Sequence, residues 1–292
     1  MKTVWLPDAT LRPRRLAVGE FDGVHAGHRE VIRGADSVLT FEPHPRRVIS
    51  PESAPKLLTT LDQKTDLIAA LGVDELIVIP FDGSFAAQSP QAFIDHELVQ
   101  RLGATQVSVG ENFRFGHRAQ GDAALLAAQD AFSTRVVELV EVDGEIVSST
   151  HIRGLVATGA VADAARLLGA PFGMRGIVAH GDKRGRTLGF PTANLVPDPV
   201  HSVPDHGIYA ARATVPGLGT YTAAVSIGVR PTFVTGRGLL VEAFLLDFDG
   251  DIYGRELRLD FLDRIRGERR FDSAEALIER MHQDVEDIRR LV

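Results

Sequence analysis

The chain has 292 residues, 44% of them apolar and 24% charged, with a formal net charge of −7 and no cysteine. That length suits two cores better than one, and the missing thiols exclude disulfides, cysteine nucleophiles and cysteine-based zinc or iron–sulfur sites. Charge is −6 over residues 1–170 and −1 over residues 171–292, so neither half has the basic excess of a nucleic-acid-binding surface.

The opening stretch "MKTVWLPDATLRPRR" lacks the apolar core of a signal peptide. No apolar run approaches the ~20 residues of a bilayer span. A cytoplasmic protein with neither membrane nor nucleic-acid partner is expected.

Residues 15–18 (RLAV), 37–41 (SVLTF), 75–81 (ELIVIPF), 105–110 (TQVSVG) and 134–142 (TRVVELVEV) read as buried strands. Their continuous apolar character suits a parallel sheet covered on both faces. Thr60 with Gln63 forms a capping-box pattern for a helix ending at Gly72, and Pro90 suits the first turn of another. Strand–helix alternation predicts a Rossmann-like, doubly wound α/β domain of the nucleotide-binding type. Two short helices, "THIRGLVATG" and "AVADAARLLG", are expected to close it near Gly169, giving domains 1–170 and 171–292.

From Met174 the hydrophobic period changes to two. "RGIVAH", "IYAARATV", "TYTAAVSIG", "LLVEAFLLDF" and "ELRLDFL" are strands separated by Gly, Pro and Asp turns. This predicts a small antiparallel β-barrel. A terminal helix follows, with Ala274, Leu277, Ile278, Met281, Val285 and Ile288 on one face and Asp272 with Glu275 at its start.

Four stretches of the first half sit where such a domain presents its site, beyond the carboxyl ends of strands. "AVGEFDGVHAGH" (17–28) follows the first strand, with glycines for a sharp turn and His25 and His28 three residues apart at the start of a helix. Two imidazoles there suit phosphoryl oxygens and a departing pyrophosphate. A plain tight turn with two surface histidines, or a metal pair, are the other readings of that spacing. "TFEPHP" places His44 between prolines, and "VGENFRFG" offers Asn112, Phe113, Arg114 and Phe115 to a planar ring. "VSSTHIR" sets Ser148, Ser149 and Thr150 before a helix with Arg153 one turn on, which serves a phosphate or simply a helix cap.

In the second half "HGDKRGRTLGFPTANL" (180–195) is not a Walker A loop, because its glycine spacing differs and no Lys-Ser/Thr pair follows. Gly181, Gly185 and Gly189 can expose backbone N–H groups as an anion nest, while Lys183, Arg184 and Arg186 offset phosphate charge. Thr192 and Asn194 are hard oxygen ligands of the kind Mg²⁺ prefers. Glu242 lies inside an apolar strand, and sharing a face with Leu240 and Phe244 favours a pocket lining over plain exposure.

In this order "FDGVHAGH", "TFEPHP", "VGENFRFG" and "SSTHIR" closely resemble the adenylyltransferase half of prokaryotic bifunctional riboflavin kinase/FAD synthetases, a nucleotidyltransferase fold. The second half resembles their riboflavin kinase barrel in "HGDKRGRTLGFPTANL", "HGIYA", "SIGVRPTF", "VEAFLLDFDGDIYG" and "RGERRFDS". The resemblance implies two ATP sites, Mg²⁺, the flavins riboflavin and FMN as substrates, and FAD as product.

By that resemblance His25 and His28, with Gly19, Phe21 and Gly23, bind ATP phosphates and the outgoing pyrophosphate. Ser148, Ser149, Thr150 and Arg153 hold the triphosphate, and His44, Asn112 and Phe113 line the flavin side. Gly181, Lys183, Gly185 and Gly189 bind the kinase ATP, Thr192 and Asn194 the Mg²⁺–ATP. Glu242 is the general base on the ribityl hydroxyl, and Arg266 contacts flavin.

One departure stands out. Only 11 residues separate His28 from Thr40. That is roughly ten fewer than the resemblance implies, or about 15 Å of crossover helix. With 18 residues between Val18 and Ser37 a parallel crossover still closes. The alternative is a riboflavin kinase whose first half only binds flavin or nucleotide.

Overall fold

The structure, a computed structural model, describes residues 1–180, 189–230 and 238–292. The chain forms two compact units, Met1–Ser149 and Thr150–Val292. In the first, strands β1 (Lys2–Trp5), β2 (Arg14–Val18), β3 (Ser37–Glu42), β4 (Glu75–Pro80) and β5 (Ala104–Gly110) precede a small antiparallel ribbon of β6 (Arg114–Phe115) and β7 (Gly121–Asp122). β8 (Ser133–Val137) follows, then a second ribbon of β9 (Glu141–Val142) and β10 (Glu145–Ile146). The remaining six strands form one parallel sheet in the order β1-β4-β3-β2-β5-β8.

Alternation of side chains gives this sheet two cores. Leu16, Val18, Leu39, Ile77 and Ile79 face one side, and Ala17, Val38, Leu76 and Val78 the other. Helix α1 (Ala26–Ile32) covers the second side with Val31 and Ile32. The short helix α2 (Pro45–Ile49) follows β3, and α3 (Leu61–Ala69) packs Ile68 into the same core as α1. α3 carries the expected capping box between Thr60 and Gln63. A single turn, α4 (Gly83–Ala86), leads to α5 (Pro90–Ala92), which continues to Arg101 with wider π-helical turns and covers the first side through Phe93, Leu98 and Leu102. α6 (Ala123–Ala127) adds Leu126 there. Both faces are thus covered, as a doubly wound sheet requires.

The short crossover closes. Seven residues of α1 return the chain so that Leu16, Ala17 and Val18 pair in parallel with Ser37, Val38 and Leu39. Two strand boundaries differ from expectation. β1 adds an edge strand whose mostly exposed pattern hides it in the sequence, and β8 stops at Val137 because the 141–142 segment pairs with β10 instead.

In the second unit α7 (Ser149–Ala157, its first residue belonging to the first unit) and α8 (Val161–Leu168) precede the barrel, and α8 packs on its strands β11 (Phe172–Ala179) and β16 (Glu256–Gly267). With β12 (Ala193–Pro197), β13 (Gly207–Val215), β14 (Gly219–Arg230) and β15 (Gly238–Leu245) these close an antiparallel barrel, ordered β11-β12-β15-β14-β13-β16. β12 is a sixth strand that the sequence, with prolines at both ends of a five-residue run, did not announce. The terminal helix α9 (Ala274–Leu291) lies against β13, β14 and β16. Its cap is Ser273, whose hydroxyl accepts the Ala276 N–H at 3.2 Å, and not Asp272. Ile288 is buried as expected, whereas Ala274 at the first turn is exposed.

The Tyr209 side chain is fully buried, and its hydroxyl donates to the Asp205 carbonyl at 2.6 Å. Burial pushes its pKa up from 10.0 to about 12, against the nearby Arg264 cation. A folded-state pKa above the unfolded one gives stability that is complete below pH ~10 and is lost as pH rises through ~12. In an ultraviolet titration one of the three tyrosines should therefore hold its proton until about pH 12, and Tyr209→Phe should remove that late step. A late step that survives Tyr209→Phe would show that another group carries it.

Candidate active sites

The first site lies beyond the carboxyl ends of β2, β3 and β5, beside the reversal of strand order between β2 and β5 where open α/β sheets bind ligands. After Val18 the chain turns sharply. A Cβ on Gly19 would come within 3.0 Å of the Phe21 ring, and Gly23 takes a left-handed φ of +88. Phe21 and Val24 also have positive φ, 50 and 42, and both are buried, so packing holds a backbone that their side chains disfavour. His25 caps α1 by accepting the His28 N–H on Nδ1 at 3.3 Å. A neutral His25 ring therefore carries its proton on Nε2, as a donor. The two imidazoles stack with centroids 3.5 Å apart, and the Phe21 ring meets His28 edge-on at 5.3 Å.

Asp22, 2% exposed, fastens this turn. Its Oδ1 accepts the N–H groups of Leu58 and Thr59 at 2.9 and 3.0 Å and the Thr59 hydroxyl at 3.3 Å. The Thr59 oxygen in turn accepts the Gly23 N–H at 3.0 Å. The Ser149 hydroxyl donates to the Asp22 carbonyl at 2.9 Å, so that member of the Ser/Thr run is brought to the turn. Ser148 is half-buried, and Thr150 and Arg153 lie on α7 within the second unit.

His44 is buried, with Nδ1 accepting the Arg46 N–H at 3.2 Å and Nε2 2.7 Å from Glu20 Oε2. Asn112 is exposed at the end of β5, its Oδ1 over Gly110, and Phe113 stacks on Phe115 with centroids 5.5 Å apart. Beneath the turn, the buried Lys64 of α3 donates to Thr40 Oγ1 at 3.3 Å, and the Thr40 hydroxyl donates to the Glu20 carbonyl at 3.1 Å. Burial pushes the Lys64 pKa down, while the carboxylates of Asp22, Glu42 and Glu20 pull it back up.

The second site is on the outside of the barrel. Val225, Val241 and Ala243 fill the interior, so the alternate residues point outward. Registers align Asn194 with Glu242, Glu242 with Ser226, Ser226 with Ile208 and Ile208 with Arg266, one continuous half-buried row across five strands. The Thr192 hydroxyl donates to Glu242 Oε1 at 3.4 Å, and Asn194 Oδ1 is buried without a hydrogen-bond partner among the described residues.

Phe190 sits beside this row with its ring 5.3 Å from Phe244 and 4.9 Å from His282 of α9. Gly189 is exposed with φ +85, while Gly181, Lys183 and Gly185, like Arg184 and Arg186, lie outside the described residues. Arg266 binds Asp284 of α9 in bidentate fashion, at 2.9 and 2.7 Å, and donates Nη1 to the Gly267 carbonyl. Its guanidinium carbon also lies 5.7 Å from the centre of the Phe271 ring.

Sequence comparison matches residues 8–151 to the FAD synthetase family and residues 168–292 to the riboflavin kinase family. The chain is 38% identical to the bifunctional riboflavin kinase/FMN adenylyltransferase of Listeria monocytogenes, over 94% of this chain and 91% of that one. The chain belongs to the bifunctional riboflavin kinase/FMN adenylyltransferase family. The Bacillus subtilis and Escherichia coli K12 proteins of the same description are 38% and 37% identical, over 93% and 92% of this chain and 90% of each of theirs. A crystal structure described as a macrolide-efflux protein from Streptococcus pneumoniae superposes with a TM-score of 0.90 at 31% identity, covering 99% of both chains. Among the described residues no helix is long and apolar enough to cross a membrane.

Within this family framework the sequence reading gave no role to several polar residues that build the first site, although Glu20, Asp22 and Thr40 lie inside its motifs. Glu20, Asp22, Thr40, Thr59 and Lys64 fasten or flank the histidine turn. Lys64 had a signal: it falls four residues before Ile68 and three after Leu61, on the apolar stripe of α3, where a charge is out of place. Ser226, beside Glu242 on the barrel, opens the stretch "SIGVRPTF", but serine in an alternating strand is ordinary and was given no role.

Proposed function

We propose that the family's two reactions are divided along the chain, with residues 1–170 adenylylating FMN and residues 171–292 phosphorylating riboflavin. The protein is an enzyme that makes FMN from riboflavin and ATP, then FAD from FMN and a second ATP with release of pyrophosphate.

The kinase reading is carried by the row in which Glu242 stands between Asn194 and Ser226, with the Thr192 hydroxyl on its carboxylate. An alcohol is a weak nucleophile, so a base aimed at its proton has work to do. Glu242 takes the proton of the ribityl hydroxyl as that oxygen bonds to the γ-phosphorus of ATP. The bond from the γ-phosphorus to the bridging oxygen breaks, and ADP leaves. The residues fit a divalent cation: the Thr192 hydroxyl supplies a hard oxygen, and the buried Asn194 Oδ1 has no partner among the described residues. Thr192 and Asn194 would hold Mg²⁺ with the ATP phosphates, where the ion offsets charge on the transferring group. Gly189, with Gly181, Lys183 and Gly185 before it, receives the phosphates, and Arg266 contacts flavin.

In the adenylyltransferase unit no side-chain nucleophile or base is needed, because the FMN phosphate is already anionic. Its oxygen bonds to the α-phosphorus of ATP, the α–β bridging bond breaks, and pyrophosphate departs. His25 and His28 donate N–H to oxygens of that leaving group, supported by the backbone of Gly19, Phe21 and Gly23. Ser148, Ser149, Thr150 and Arg153 hold the triphosphate. His44, Asn112 and Phe113 receive the flavin side.

Glu242→Gln keeps shape and removes basicity, so riboflavin phosphorylation should fall by about 10²–10⁴-fold while FMN adenylylation persists. Product chromatography from riboflavin and from FMN separates the two, and full kinase activity would remove Glu242 from the mechanism. Thr192→Ala and Asn194→Ala should each raise the Mg²⁺ concentration that half-activates the kinase; an unchanged Mg²⁺ dependence in both counts against the metal assignment. The double variant His25→Ala/His28→Ala should make FMN normally and FAD at a rate lowered by about 10²–10³ or more. Equal FAD synthesis in the double variant and the native chain would defeat the histidine assignment.

A further inference from the structure

Lys64 is 6% exposed, and an ammonium taken out of water is costly unless it is paired. Ile68, one turn further along α3, belongs to the apolar core, so leucine or methionine at 64 would avoid the desolvation altogether. The ammonium is nevertheless directed to the catalytic edge of the sheet. It donates to the Thr40 hydroxyl, which donates to the Glu20 carbonyl in the turn after β2. The carboxylate charges of Asp22, Glu42 and Glu20 favour its protonated form, against the cost of burial. Glu20 and Asp22 alternate with Gly19, Phe21 and Gly23. Alone, these carboxylates would present three negative charges to a ligand that is itself a polyanion.

We propose that Lys64 is a positioning residue of the adenylyltransferase: as the buried counter-ion of Glu20, Asp22 and Glu42, it lowers the negative charge of the turn that receives the ATP triphosphate. This rests on the adenylyltransferase reading of the first unit. A purely structural lysine would act on folding alone. A counter-ion acts on the affinity for ATP, and its charge can be replaced by deleting a negative one.

The test uses the full chain, measuring the KM for ATP and kcat in FAD formation from FMN, with riboflavin phosphorylation as an internal control. At an effective dielectric near 20, a unit charge near a phosphate group is worth roughly a factor of ten or more in affinity. Lys64→Met should therefore raise the KM for ATP about tenfold with a smaller change in kcat. The kinase should be unaffected and the melting temperature equal or higher, since replacing a buried charge with an apolar side chain is often neutral or stabilising. Adding Glu20→Gln, at a residue whose side chain is 44% exposed, should recover most of the lost affinity. An unchanged KM in Lys64→Met, or a raised KM that Glu20→Gln does not relieve, overturns the proposal. Should Lys64→Met not fold, Glu20→Gln in the otherwise native chain decides: its KM for ATP should fall, and an equal or higher KM refutes the charge argument. A native chain that makes no FAD from FMN overturns the underlying reading instead, which tells the two failures apart.

Discussion

A polar side chain withdrawn from water must find a partner, and that requirement shapes the candidate site in both units. In the first, Asp22 is enclosed and gathers two backbone N–H groups and a hydroxyl, which fastens the turn carrying His25 and His28 to the segment before α3. Buried charge is also used at the opposite, amino edge of the sheet. Arg14, fully buried, binds Glu75 at 2.9 Å and the Leu102 carbonyl at 2.8 Å, joining the starts of β2 and β4 to the end of α5. Removing one partner of such a pair typically costs about 3–5 kcal/mol, because the other charge is left uncompensated. The amino edge is thus tied by a buried ion pair, although Arg14 Nη2 has no hydrogen-bond partner among the described residues. The carboxyl edge carries the candidate site residues.

In the barrel the same requirement works through strand register. The interior is apolar throughout, with Tyr209, Val225, Val241, Ala243, Leu257, Leu259 and Phe261 buried. Polar side chains of the same strands must then point outward, and antiparallel pairing aligns them from strand to strand. Asn194, Glu242 and Ser226 become neighbours in this way, and the row continues to Arg266. Arg266 and Arg280 both hold Asp284, 3% exposed, so the terminal helix is tied to β16 at the end of the row. The helix carries His282 to Phe190, beside the proposed nucleotide residues.

The proposed division of the two reactions sets the units different chemical problems, and their candidate side chains differ accordingly. Transfer to a neutral alcohol calls for a carboxylate base, and the barrel has one on its outer row. Transfer from ATP to a phosphate calls for positioning and charge control, and the first unit has stacked imidazoles, a strained turn and a buried ammonium beneath it.

Strand periodicity and turn residues were enough to separate a parallel α/β domain from an antiparallel barrel, and the motif residues lie at strand ends or in short segments whose spacing is local. The misses have local causes too. β1 is four residues with little apolar signal, β12 is short and bounded by prolines, and the alternating Val/Glu run after Ser133 cannot say where one pairing partner replaces another. What the sequence by itself determined is therefore the type of each element and the residue chemistry it displays, because both follow from neighbours a few positions away. Only the tertiary structure decided that Lys64 reaches the Thr40 hydroxyl under the histidine turn, that Asn194 stands beside Glu242, and that Arg266 is taken by Asp284. Desolvation and charge interaction depend on distance in space, and these partners lie far apart along the chain.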